Sequence, residues 1–225
     1  MNGTASAFVP VMVSPTRSVL AHLLHALNQQ LTGLQCSLEL AVATSRTPEQ
    51  YARTLREGLE LTARMRLLVE TIRELTDPQQ VQSNTQELFP LDVLVSETIA
   101  GLRPVAEEKN VRLVLQCRGP LSVQGDRKRL IELTFRLLES VISLSESGTE
   151  VPITMSSEEQ HCVVTVSWNA ALALEHSPFS RAELGLLLAR AGWEQMDAKW
   201  NDESAGKVQR CTIRIPLASS SSSLG

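Results

Sequence analysis

Leucines recur along the first part of the chain with the rhythm of an α-helix. Leu20, Leu24, Leu27, Leu31, Leu34, Leu38 and Ala41 follow one another at alternating spacings of four and three residues. Such a repeat keeps one helical stripe facing a partner. It predicts a helix from about Thr16 to Thr44, on the order of 40 Å long. In the segment TSRTPEQY, Thr47 is placed to N-cap a second helix, Pro48 suits its first turn, and Gln50 completes a capping box. That helix is predicted to run from Pro48 to about Leu75. Tyr51, Leu55, Gly58, Thr62, Met65, Val69 and Ile72 carry the same rhythm, Leu59 and Leu68 widen the stripe, and Asp77-Pro78 ends it. Two long helices joined by a short turn make an antiparallel hairpin. One hairpin cannot bury both stripes, whereas two copies close a four-helix bundle. The pattern therefore predicts a homodimer, the alternative being a hairpin that packs on its own chain.

Beyond residue 86 the rhythm changes. Phe89–Glu108 reads as a helix starting near Pro90, with Leu91, Val95 and Ile99 on one face and a bend at Pro104. VRLVLQC alternates as a half-buried strand does. Gly125-Asp126 opens a helix over Arg127–Leu144. VPITMSS and CVVTVSW read as strands, Arg181–Ala191 as a helix and CTIRIPL as a last strand. This order predicts an α+β layer with helices on one face of a mixed sheet. The expected organisation is an arm over 1–15, a helical hairpin domain over 16–78, a polar linker, an α/β domain over 87–218 and a disordered tail over 219–225, where serines dominate.

Composition narrows the functions. With 43% hydrophobic residues among 225 the chain builds a core. Its 21 basic and 25 acidic residues are scattered, giving a net charge of −4 and no basic stripe, so nucleic acid is not an expected partner. No apolar run approaches the roughly 18 residues of a membrane helix, and Phe8–Val13 lacks the basic flank of a signal peptide. The expected location is the cytoplasm. Cys36, Cys117, Cys162 and Cys211 are too dispersed for a zinc site and read as small buried hydrophobes of a reducing compartment.

Two stretches carry a family resemblance. His25-Ala26-Leu27-Asn28-Gln29-Gln30-Leu31 lies on the first helix, and Gly125-Asp126-Arg127-Lys128-Arg129-Leu130 opens a helix of the second domain. In this order, with a terminal strand IRIPL, the chain resembles a sensor histidine kinase core from Thr16 to Leu217. The resemblance implies a dimeric bundle for phosphotransfer, followed by a Bergerat-type (GHKL) α/β sandwich. His25 falls on the phospho-accepting histidine. Asn28, one turn on, is a candidate to orient its ring.

The departures fall on the chemistry. Ala26 stands where the family carries an acidic residue that holds the imidazole tautomer. Arg136 and Ser140 stand at the asparagines that hold magnesium, and an arginine repels a cation. Trp168 replaces the aspartate that reads adenine. Ala170 and Leu172 replace glycines whose backbone freedom the nucleotide loop uses. Of the late glycine box only Gly185 survives, preceded by Glu183, which opposes a polyanion. Phosphoryl transfer from ATP rests on positioning and on Mg²⁺, so the resemblance implies a degenerate pocket with no cofactor, no metal and no autokinase activity. Transfer through His25 needs only an exposed ring and a docked receiver domain, so response-regulator receivers are the expected partners. The alternative is a scaffold that binds a regulator or a kinase without chemistry. His22 and the arginines of the second helix read as bystanders, Gln29 and Gln30 as solvated positions, and His161 and His176 as surface residues. Trp193 and Trp200 read as packing that fills an abandoned site.

Overall fold

The computed structural model describes residues 15–45, 47–76, 86–171 and 180–217, with side chains from residue 19 onward. The predicted arm (except Pro15), most of the linker and the tail lie outside them, as do Leu172 and His176. The chain divides into two compact units, 1–75 and 76–225.

The first unit is a hairpin of α1 (Pro15–Ala43) and α2 (Pro48–Thr76). Its turn carries the expected capping box: the Thr47 N–H donates to Gln50 Oε1 at 3.0 Å, and the Gln50 N–H to Thr47 Oγ1 at 3.3 Å. The Tyr51 hydroxyl donates to the Thr44 carbonyl at 3.4 Å. Further from the turn, a Cβ on Gly58 would stand 3.3 Å from Leu34 Cδ1, so the helices run side by side and close.

The buried stripe differs from the predicted seam. On α1 it runs through Leu23, Ala26 and Ala41, while Leu24, Leu31 and Leu38 are 49%, 48% and 43% exposed. On α2 it runs through Thr54, Leu68, Thr71 and Leu75, while Leu55 and Leu59 stand in solvent. The four-three leucine repeat combined two neighbouring faces, of which one is covered within a single chain.

The second unit contains β1 (Glu87–Pro90), α3 (Leu91–Glu108), β2 (Arg112–Cys117), β3 (Ser122–Gly125), α4 (Arg127–Leu144), β4 (Glu150–Glu158), β5 (His161–Asn169), α5 (Arg181–Gln195), β6 (Lys199–Ala205) and β7 (Val208–Pro216). Phe89 belongs to β1 rather than to the helix, and Pro90 is the N-cap of α3, which runs on through Pro104. The ribbon β1–β3 is antiparallel. The main sheet has the order β2-β4-β5-β7-β6, with β2 parallel to β4 and the other pairs antiparallel. In β4, β5 and β7 one face turns into the core. Val151, Ile153 and Met155 of β4, Val164 and Val166 of β5, and Ile213 and Ile215 of β7 meet Leu94 and Val95 of α3 and Leu130, Leu137 and Leu138 of α4. No described helix is long and apolar enough to cross a membrane.

Candidate functional site

The two sets of candidate residues fall in different units. His25 is exposed on α1, in the middle of a helix whose buried stripe lies on another face. Its Nε2 is 3.0 Å from the Nε2 of Gln29, one turn on. Both side chains are exposed, and the i, i+4 spacing places them side by side. The expected neighbour, Asn28, is exposed and not bonded to the ring; its carbonyl accepts from the Thr32 hydroxyl at 2.9 Å. Gln29 is solvated as expected, and its bond to His25 is the unexpected feature, for which the i, i+4 spacing was the available signal. Ala26 is 2% exposed. An acidic residue at that position would be buried, so the orienting group of the family has no counterpart on that side of the ring.

The nucleotide-box positions lie on β5, α4 and α5. Asp126 caps α4, accepting from the N–H groups of Lys128 and Arg129 at 2.9 and 3.2 Å. Two turns into the helix, Arg136 Nη2 lies 3.5 Å from Glu132 Oε1, and Arg129 Nη1 lies 3.1 Å from Glu132 Oε2. Arg136 and Arg129 thus share the Glu132 carboxylate on this face of α4. Ser140 is buried. A Cβ at Gly185 would overlap Ser140 Oγ, and one at Gly192 would overlap Leu133. Both glycines let α5 lie against α4, so Gly185 serves helix packing.

Glu183 has a local structural use. Ser180 caps α5 with its hydroxyl accepting from the Glu183 N–H at 3.2 Å, and Glu183 Oε2 accepts from the Ser180 N–H at 2.8 Å. The first-turn carboxylate thereby satisfies a backbone donor at the start of α5.

Trp168 is buried in the core rather than set at a pocket mouth. Ala170 donates its N–H to the Lys207 carbonyl at 2.8 Å, and Ala171 donates to Leu144 at 2.9 Å, which ties this loop down by its backbone. Leu172 lies outside the described residues. Trp193 is buried beside Leu133 and Leu137, whereas Trp200 is half-exposed on β6 and donates to Asp202 Oδ1 at 2.6 Å. Trp193 lies in the core and Trp200 packs against it as a partly buried side chain.

Among the described residues of the second unit, two cavities stand out. One of about 610 Å³ lies between the C-terminal part of α3 and the start of β2, lined by Arg103, Asn110 and Glu150 among others. One of about 300 Å³ lies between the start of α4 and the end of α5, beside Asp126 and Trp193. Neither is lined by Arg136, Ser140, Trp168 or Gly185. Among the described residues, no group of three or more His, Cys, Asp or Glu is placed to hold a metal. Cys162 and Cys211 are buried, and burial pushes both thiols up to about 12, so neither is a thiolate near neutral pH. Contrary to expectation, Cys36 and Cys117 are exposed.

A helical hairpin followed by an α/β sandwich of this strand order is the fold of a histidine kinase core. The histidine kinase AdeS of Acinetobacter baumannii has the same fold, with a TM-score of 0.54 at 18% identity over 86% of this chain and 98% of that one. A histidine kinase from Burkholderia phymatum gives 0.52 at 22% identity, over 91% of this chain and 99% of that one. In sequence, the sensor protein IrlS of Burkholderia pseudomallei is 23% identical over 149 residues, or 65% of this chain. The match spans 32% of the length of IrlS. No family model matches the chain.

Proposed function

We propose that this protein is a histidine phosphotransfer protein of a two-component phosphorelay, working as a homodimer and without ATP. The observation that carries the reading is a contrast within one kinase-like fold. His25 stands in solvent on the hairpin, while the positions that would hold magnesium and phosphate are occupied by the Arg136–Glu132 pair and by the α4–α5 contact at Gly185. Phosphotransfer between receiver domains needs the first and not the second. The metal and the acceptor aspartate belong to the receiver, and the chain supplies an imidazole nitrogen and a docking surface. The cytoplasm is the compartment in which such a relay would run. Nucleic acid and membrane have no role in this reading.

The test is a transfer assay with the full chain, its His25→Ala variant and phosphorylated receiver domains. Acid-labile phosphate is expected on the wild-type protein and absent from the variant. Micromolar binding of magnesium-ATP with label on His25 would overturn the reading in favour of an autokinase.

A second reading is a scaffold that binds a regulator or kinase and acts by occupancy. The buried Ala26 favours it, because the ring lacks the family's acidic neighbour. Tight binding to a receiver with no transfer, and full function of His25→Ala in cells, is its expected signature.

A further inference from the structure

We infer that Gln29 is a positioning residue that fixes the tautomer of His25 and covers its Nε2. The inference rests on the phosphotransfer reading for its consequence but not for its geometry. A primary amide nitrogen only donates, so the 3.0 Å contact from Gln29 Nε2 engages the lone pair of His25 Nε2. In this arrangement of the amide the ring proton sits on Nδ1. With Ala26 buried and apolar, no side chain at the next position competes to hold the ring the other way. The first acidic residue of α1 is Glu39, which bonds Gln35 nearly four turns beyond His25.

The consequence is two-sided. In the transfer step the Nε2 lone pair attacks phosphorus of the receiver's aspartyl phosphate. The N–P bond forms, the P–O bond breaks, the aspartate carboxylate leaves with its electron pair, and the Nδ1 proton passes to water. Gln29 sets the tautomer that has this lone pair, yet its amide lies on the attacking atom and must swing off first. Both side chains are exposed, so the swing costs one solvent-exposed hydrogen bond; removing the amide uncovers the lone pair but also lets the ring drift toward the Nε2–H form, so the net gain in attack rate is expected to be only roughly two- to threefold.

The experiment uses ¹⁵N NMR of the imidazole nitrogens in the full chain, together with labelling by phosphoramidate, which needs no receiver. Wild type is expected to show the Nδ1–H form. Gln29→Ala is expected to move toward the Nε2–H form that an unrestrained histidine favours. Gln29→Glu, whose carboxylate accepts rather than donates, is expected to hold Nε2–H outright. Labelling is expected to be faster in Gln29→Ala and absent in His25→Ala. Identical tautomer populations in wild type and Gln29→Ala would overturn the inference, as would slower labelling in the variant. If the tautomer follows Gln29 but no receiver transfers phosphate, the geometry stands and the phosphorelay reading falls.

Discussion

Gly185 is the residue at which the packing of α5 on α4 is easiest to test. Its missing side chain leaves room for Ser140 Oγ, while a methyl there would stand an unstrained 3.7 Å from Ser140 Cβ. Gly185→Ala is therefore expected to destabilise by about 1–3 kcal/mol through overpacking at a buried contact. Trimming the opposing hydroxyl with Ser140→Ala removes the clash, so the double variant is expected to recover most of the loss. Urea unfolding of the two single variants and the double variant measures this coupling directly. Purely additive losses would show that α5 does not bear on α4 through these atoms. The sequence placed both residues at pocket positions through the family resemblance, and it marked Arg136 and Trp168 as incompatible with a cation and an adenine. It did not reveal that Gly185 serves packing, because the contact joins residues 45 positions apart on two helices.

At the scale of elements, what could be read was what repeats or stops sharply. The hairpin, its capping box and the span of α4 have local causes: a leucine rhythm, a Thr-Pro-x-Gln turn and Gly-Asp before an apolar run. The strands β1, β3 and β6 were missed for the opposite reason. β1 and β3 have four residues each, too few for alternation to register. β6 reads KWNDESA with only Trp200 half-buried, because it is an edge strand whose burial alternates with nothing. The cap of α5 shows how a local signal competes with a functional one. Glu183 looks hostile to phosphate, and Ser180-x-x-Glu183 is also a sound capping box. Ser180→Ala is expected to cost about 1 kcal/mol, since a Ser N-cap is worth roughly that in a helix. The urea midpoint should fall with an unchanged slope. An unchanged midpoint would mean that the first turn of α5 is held by other contacts.

For the whole molecule, the two faces of α1 and α2 decide how many chains work together. Leu24, Leu31 and Leu38 recur every seven residues and are close to half exposed, and Leu55 and Leu59 of α2 are 62% and 70% exposed. A stripe of large apolar side chains along both helices of a hairpin is more than a lone chain ordinarily leaves in water. A second copy placed against it completes a four-helix bundle. Light scattering on the full chain is therefore expected to give twice the chain mass of 24.7 kDa. A Leu31→Glu, Leu55→Glu variant is expected to run at the single-chain mass with its helix content largely kept, because both positions are exposed within the chain. Leu23→Glu is the contrasting case: its side chain is fully buried, so a carboxylate there is expected to unfold the hairpin rather than merely separate two of them. A wild-type protein of single-chain mass at tens of micromolar would sink the dimer. The geometry also bears on function. His25 is one residue past Leu24 and Gln29 four past His25, so each lies about a quarter turn or more around α1 from the leucine stripe. A dimer formed on that stripe leaves both rings of His25, each with its Gln29, facing solvent, where a receiver domain on either side could dock without parting the bundle.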